Sequence, residues 1–417
     1  MKRILLASTA IVAFAGAAAA EVTFDGDAEF GWNDDFDDGF FWEVGATLGF
    51  SMDLDNGLTA SVAGDVEFVS SPNTDEDDPD DPTDDANADS TFADNDIEID
   101  DIVITLASDT ASLAFGDTAP AADALWSSPV TNLDADDFND EDDLDDEDGI
   151  IIGQVSFGEI DFGISYGVVD SNGGDESDVN DGSDDDLIGL QAAVNATVGT
   201  FDLSFAYQES VDGQTTTLGS GDEVTVGSTP EIFAFGVGTT LAGIELGLAY
   251  AMLTVEDEDS SDEAEVTSLG VQGAYTVGPV TLGAFYVSQD IDDDIADGDI
   301  DDNYGVFADY AAGPVTVGFL YHDGQDEDLQ LNATYALESL GIDLFAGYRD
   351  EGENGDDEEQ AEIFYIGGDY DLGGGATLRI SYADVDEGEG GVDSDLDELG
   401  AAEDVKEGAT IALSFVF

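Results

Sequence analysis

The sequence predicts an all-β fold, a transmembrane antiparallel β-barrel with short turns at one end and long acidic loops at the other. Three observations predict it. Apolar residues recur with period two in one segment after another, the spacing of a strand that buries a single face. These segments are joined alternately by brief Gly/Pro links and by extended acidic stretches, the asymmetry of a membrane barrel. Finally, no stretch beyond Ala20 approaches the ~18 consecutive apolar residues that a spanning helix needs, whereas residues 408–417 alternate over the length of a tilted spanning strand.

The elements follow in order. Lys2 and Arg3, an apolar run over 4–15 and four alanines at 17–20 look like a secretory signal peptide cut after Ala20. That leaves 21–417 as one barrel domain. Over 41–54, Trp42, Val44, Ala46, Leu48, Phe50 and Met52 share one face, and Asp55-Asn56-Gly57 supplies a tight turn before alternation resumes. The construction returns at 187–207, 244–252, 275–286, 304–321, 329–335, 342–348, 364–370 and 376–382, with Gly278-Pro279 and Gly313-Pro314 among the links. Acidic loops are expected at 70–96, 170–186, 208–230, 255–265, 289–302, 350–360 and 383–407. Tyrosines near strand ends, such as Tyr207, Tyr286, Tyr321 and Tyr348, suit an interfacial girdle. The segments number about twenty.

Composition excludes several functions. The chain carries 5 basic and 101 acidic residues, a net charge of -96. Nucleic acid is excluded as a partner, because phosphate binding needs clustered Lys and Arg. Docking on anionic headgroups through basic residues is disfavoured for the same reason. With 24 Phe, 13 Tyr and 50 Gly, the chain is too aromatic for a disordered acidic polymer. The acidity suits either a surface solvated in high salt or a cation pathway, and the two can coexist. Zero Cys excludes disulfides and thiol chemistry. One His, no Cys and no Gly-x-Ser-x-Gly elbow leave no triad or dyad that needs them, while 101 acids make chance carboxylate pairs of the glycosidase kind inevitable.

The terminus, with Ile411, Leu413, Phe415 and Phe417 on one face, resembles the carboxy-terminal assembly signal of bacterial outer-membrane barrels. Two further stretches resemble the general diffusion porins of Gram-negative bacteria, of the alphaproteobacterial, Rhodobacter-like type. Residues 22–31 are similar to that family's first strand, and 111–125 to the end of its fifth strand and start of its third loop. The resemblance implies a bacterial outer-membrane location among lipid, dependence on the outer-membrane assembly machinery, and a homotrimer of 16-stranded barrels. It also implies a third loop folded into the lumen as a constriction, which places Asp117 and Asp123 there.

The residues that follow agree with a constriction loop over 117–149. Residues 126–148 hold no strand pattern, and a structureless segment of that length is usually functional or disordered. Asp134, Asp136, Asp137, Asp140, Glu141, Asp142 and Asp143 would form a negative ring in a narrow space, attracting cations and repelling anions. The family opposes such acids with a basic cluster on the facing wall, but the mature chain has only Arg349, Arg379 and Lys406. Parity with the apolar positions places Arg349 and Arg379 in the lumen, on strands separated by one, where they are expected to share a patch of wall. His322, beside outward-facing Tyr321, points inward near the external rim. The alternative for 134–148 is an external solvated loop.

The expected function is passive diffusion of small hydrophilic solutes and ions with a preference for cations. The alternatives are a substrate-specific channel and a pore-less surface or adhesive barrel. No cofactor is expected, except that Asp292-Asp293-Asp294 through Asp299 and 178–182 offer oxygen ligands around a turn glycine for weakly bound calcium.

Overall fold

In the computed structural model, residues 21–34, 39–54, 56–70, 97–133, 135–136, 138, 149–168, 189–212, 228–256, 263–293, 302–324, 327–350, 352, 362–386 and 405–417 are described. The proposed signal peptide therefore lies outside the described residues. The strands are β1 (Glu21–Asn33), β2 (Phe40–Asp53), β3 (Thr59–Ser70), β4 (Ile97–Ala107), β5 (Ala111–Gly116), β6 (Gly149–Ser156), β7 (Ile160–Val168), β8 (Leu190–Val198) and β9 (Phe201–Gln208). After a small ribbon of β10 (Val211–Asp212) and β11 (Ser228–Thr229) come β12 (Glu231–Leu241), β13 (Ile244–Glu256), β14 (Glu263–Val277), β15 (Val280–Asp293) and β16 (Asn303–Ala312). The wall is completed by β17 (Val315–Asp323), β18 (Asp328–Leu337), β19 (Ile342–Asp350), β20 (Glu362–Asp371), β21 (Ala376–Asp386) and β22 (Gly408–Val416).

All pairings in the large sheet are antiparallel, and with β9 bonded to β12 the ribbon is bypassed. The ends meet: β1 pairs with β22, from Asp27 opposite Val416 to Asn33 opposite Thr410. The result is a closed 20-stranded sheet with no free edge, the condition for a β-structure to sit in lipid. Twenty is the number the segments indicated and corrects the sixteen implied by the family resemblance. Phe417 fastens the seam, exchanging backbone hydrogen bonds of 2.9 and 2.8 Å with Gly26 while its ring lies 6.0 Å from Phe24.

Alternation divides the wall. Phe24, Phe30, Phe235, Leu248, Val271, Leu282, Phe364, Ile366 and Ile380 are exposed on the outer face, an apolar band for the lipid. The short links take the shape their residues impose. In Gly278-Pro279 the glycine has φ 63, which a II′ hairpin turn demands of its first central residue. At the other end strands run past their expected limits: β15 continues to Asp293 and β21 to Asp386, inside stretches read as loops. Ladder hydrogen bonds need no apolar face, so pairing outlasts the hydrophobic alternation that marks it in sequence.

The core is not at the centre of a sandwich but between the inner wall and a segment that leaves it. Val130, Leu133 and Ala135 are buried together with Ala234, Ala249, Ala251, Val266, Phe285 and Val287 of the wall. A short helix, α1 (Ala121–Leu125), which the sequence did not suggest, precedes this contact, with Pro120 at its N-cap.

Candidate functional site

The departure from the wall is fixed at Gly116, the last residue of β5. Its φ is 130, and a Cβ there would stand 1.8 Å from the carbonyl oxygen of Ile102. Only glycine fits, and the chain turns from ladder to lumen at that residue. Asp117 follows, exposed, with its N–H donating to Ile102 O at 3.3 Å.

From there the chain crosses the inner faces of β7, β8, β9, β12, β13 and β14, and polar wall side chains take up its backbone groups. Ala121 N–H donates to Ser165 Oγ at 2.7 Å, and Ala122 N–H to Gln191 Oε1 at 3.0 Å. Gln191 is itself held by its Nε2 donating to Gln208 Oε1 at 3.0 Å. Asn195 Nδ2 donates to Leu125 O at 2.5 Å. Farther on, both the N–H and the hydroxyl of Thr131 donate to Gln272 Oε1, at 3.0 and 2.9 Å. Burying Val130 and Leu133 against the wall adds about 1.5–3 kcal/mol each. The segment is thus docked on one side of the lumen by satisfied backbone groups and an apolar contact, as a chain crossing a wall must be.

The residues read from the sequence are distributed as follows. Asp123 is exposed on α1. Asp136 accepts the indole N–H of Trp126 at 2.7 Å, and Trp126 meets Phe138 edge-on at 6.2 Å. Asp134, Asp137, Asp140, Glu141, Asp142 and Asp143 lie outside the described residues. So do Asp294 through Asp299 and residues 178–182, the candidate calcium ligands other than Asp292 and Asp293. Among the described residues no group of three or more His, Asp or Glu is arranged to hold a metal ion.

Arg349, Arg379 and His322 sit on the inward parity of their strands, but the arginines do not share a patch. Arg349 stands opposite Ile363 and Arg379 opposite Asp369 on the intervening strand β20. Six residues of strand separate these levels, about 20 Å. Each arginine instead has its own carboxylate. Arg379 grips Asp369 with two bonds, Nε to Oδ1 at 2.9 Å and Nη2 to Oδ2 at 2.8 Å, and lies 5.3 Å over the ring of Phe345. Arg349 Nη2 is 3.2 Å from Asp328 Oδ2, which also accepts Gln330 Nε2 at 2.7 Å and lies 3.6 Å from His322 Nε2. Lys406 extends over the ring of Phe41 at 5.2 Å.

Sequence reading did not find a second group of lumen residues. Asp53, Asp161 and Asp202 face inward beside short hairpin turns, where Thr59, Ser156 and Thr197 donate to them at 2.9, 2.6 and 2.8 Å. Each is a directly opposed cross-strand pair, so the Ser/Thr–Asp spacing across a tight turn was the available signal. Glu245, Asp309 and Asp343 occupy the same parity on β13, β16 and β19.

A closed barrel with an apolar exterior, a charged interior and a segment docked inside it is the architecture of a pore. The family model for Gram-negative porins matches residues 7–316 and 280–390. The chain belongs to the Gram-negative porin family. It is therefore a channel of the outer membrane for passive transport of small solutes. Among solved structures, a triple mutant of the Rhodopseudomonas blastica porin matches with 13% identity and a TM-score of 0.40, covering 95% of this chain and 100% of that one. Another mutant of the same porin matches with 12% identity, a TM-score of 0.40 and the same coverage. A comparison with curated proteins returned no match. The porin's inner wall, with both arginines paired to carboxylates and acids in excess, is what solutes meet.

Proposed function

We propose that this porin is a cation-preferring diffusion channel whose lumen is narrowed by the segment 117–149. The observation that carries the reading is the pairing of both lumen arginines, Arg349 with Asp328 and Arg379 with Asp369. An ion pair presents little net field to a passing ion, so neither arginine opposes Asp53, Asp161, Asp202, Glu245, Asp309 and Asp343 or the acids of the inward segment. Carboxylates confined by low-dielectric walls focus their field and are screened less than exposed ones. Small hydrophilic cations are then enriched in the pore and anions depleted. The net charge of -96 adds a wide negative mouth and suits a protein solvated in concentrated salt. The same reading includes export with loss of 1–20, assembly of 21–417 as a homotrimer, and weak calcium association with the acidic loops.

The test separates the constriction from the mouth. Replacing Asp134, Asp136, Asp137, Asp140 and Glu141 with Asn or Gln is expected to reduce the cation preference read from the reversal potential in planar bilayers. The same change at Asp75, Glu76, Asp77 and Asp78 is expected to shift it much less. Equal shifts would assign selectivity to the charge of the whole mouth and remove the constriction from the account.

A further inference from the structure

The geometry points to a seat cut into the barrel wall for the inward segment, and to the depth of that seat as what sets the width of the pore; the second part rests on the constriction proposed above. Six inward positions on three adjacent strands form the floor. Gly236 of β12 stands opposite Ala249 of β13, which stands opposite Gly270 of β14. In the next row Gly238 faces Gly247, which faces Gln272. Gln272 is the one long side chain in this patch, and it is the acceptor for both donors of Thr131. The backbone of Pro129, Val130 and Thr131 lies on the remainder.

Side chains are absent from the floor where the segment needs the space. A Cβ at Gly247 would lie 2.1 Å from Pro129 O, one at Gly270 2.6 Å from Val130 Cγ1, and one at Gly236 2.7 Å from Pro129 Cδ as well as 2.6 Å from Ser204 Oγ of the neighbouring strand. At Gly238, in the same patch, the nearest atoms would be Asp202 Cβ at 3.8 Å and Pro129 Cβ at 3.9 Å, an ordinary contact. Glycine in a strand interior weakens it and packs nothing, so three of them under one loop mark a close backbone approach. With the wall behind it, a segment pushed off this floor can move only toward the axis. At Gly247 the shift needed to restore a normal contact exceeds about 1 Å.

The experiment compares Gly247→Ala, Gly270→Ala and Gly238→Ala in the full chain, reading unit conductance in bilayers and hydrogen exchange at the Thr131 amide. Gly247→Ala and Gly270→Ala are expected to lower unit conductance and to speed Thr131 exchange roughly tenfold, as its bond to Gln272 is lost. Gly238→Ala adds the same methyl group and is expected to change neither. Adding Val130→Ala should restore Gly270→Ala, whose clash is with a side chain, and should leave Gly247→Ala impaired, whose clash is with a carbonyl. Unchanged Thr131 exchange in both Gly247→Ala and Gly270→Ala would overturn the seat. Faster exchange at unaltered conductance would keep the seat and refute the constriction on which its role in pore width depends.

Discussion

Two stretches of one barrel wall, built on the same alternation, are filled in opposite ways. On the inner face of β7 to β14 the lumen positions that meet the inward segment include Ser165, Gln191, Asn195, Gly236, Gly247, Ala249, Gly270 and Gln272, with Asp161, Asp202 and Glu245 nearer the short turns. Across the ring, on β17 to β21, they include His322, Asp328, Phe345, Arg349, Tyr365, Asp369 and Arg379. The first stretch accommodates a polypeptide and, where that polypeptide lies, offers small residues and neutral acceptors. The second carries charge, and its large residues support one another, with Phe345 lying 6.3 Å from Tyr365 as well as under Arg379. What differs is the neighbour each wall must meet, and the difference predicts where a substitution is costly and where it alters only the field in the pore.

The largest expected effect is at the entry to the docked side. Gly116→Ala forces a side chain onto a backbone conformation it rarely adopts and against Ile102 O, and is expected to cost about 3 kcal/mol. A lowered urea midpoint for unfolding in detergent would show it; an unchanged midpoint would mean the turn into the lumen is not fixed there. Gln191→Ala comes next. It removes the acceptor of a buried N–H and one partner of Gln208, and should destabilise by about 1–3 kcal/mol by the same measurement. Its counterpart across the ring behaves differently. Asp369→Asn should change stability by about 1 kcal/mol or less, since the pair is partly exposed, yet remove one negative charge from the lumen beside Arg379. Reversal potential should then show weaker cation preference, while Arg379→Gln should not weaken it. If Asp369→Asn proves as destabilising as Gln191→Ala, the contrast between the walls fails.

The smallest effect lies outside the wall. Asp302, just before β16, has its pKa lowered by the hydroxyl of Tyr286 and then by the N–H of Gln289. A carboxylate with a depressed folded pKa contributes stability above its unfolded pKa and loses it as pH falls through the folded value. Tyr286→Phe should therefore lower thermal stability slightly at neutral pH, and the difference should fade as pH falls below the ordinary carboxylate range and through the lowered pKa of Asp302. A difference that persists under acid conditions would trace to packing of the ring instead.

Much of the fold was legible because a strand's period is two. Leu378 and Ile380 face lipid, which by itself places Arg379 inside, and the same argument holds for Arg349 after the even-numbered apolar face of Ile342, Leu344, Ala346 and Tyr348. The closing seam was legible in Phe415 and Phe417. Contacts at long range were not. Gln191 lies 69 residues from Ala122 and Gln272 141 from Thr131, and in sequence both read as ordinary polar residues on a lumen face. The expectation of a shared arginine patch failed because parity gives the side of the wall but not the height, and strand register sets the height. The glycines under Pro129 and Val130 carry no sign of what covers them.

Cation preference set inside the lumen is read most directly from the reversal potential of the wild-type porin across a KCl gradient, measured first in dilute and then in molar salt. At molar salt the Debye length is about 3 Å, so a mouth charge is screened while charges within a narrow lumen are not. A cation-preferring lumen should give a potential of the sign set by potassium flow in both conditions, reduced but not abolished at molar salt. A potential near zero in dilute salt, or one of the sign set by chloride, would contradict it.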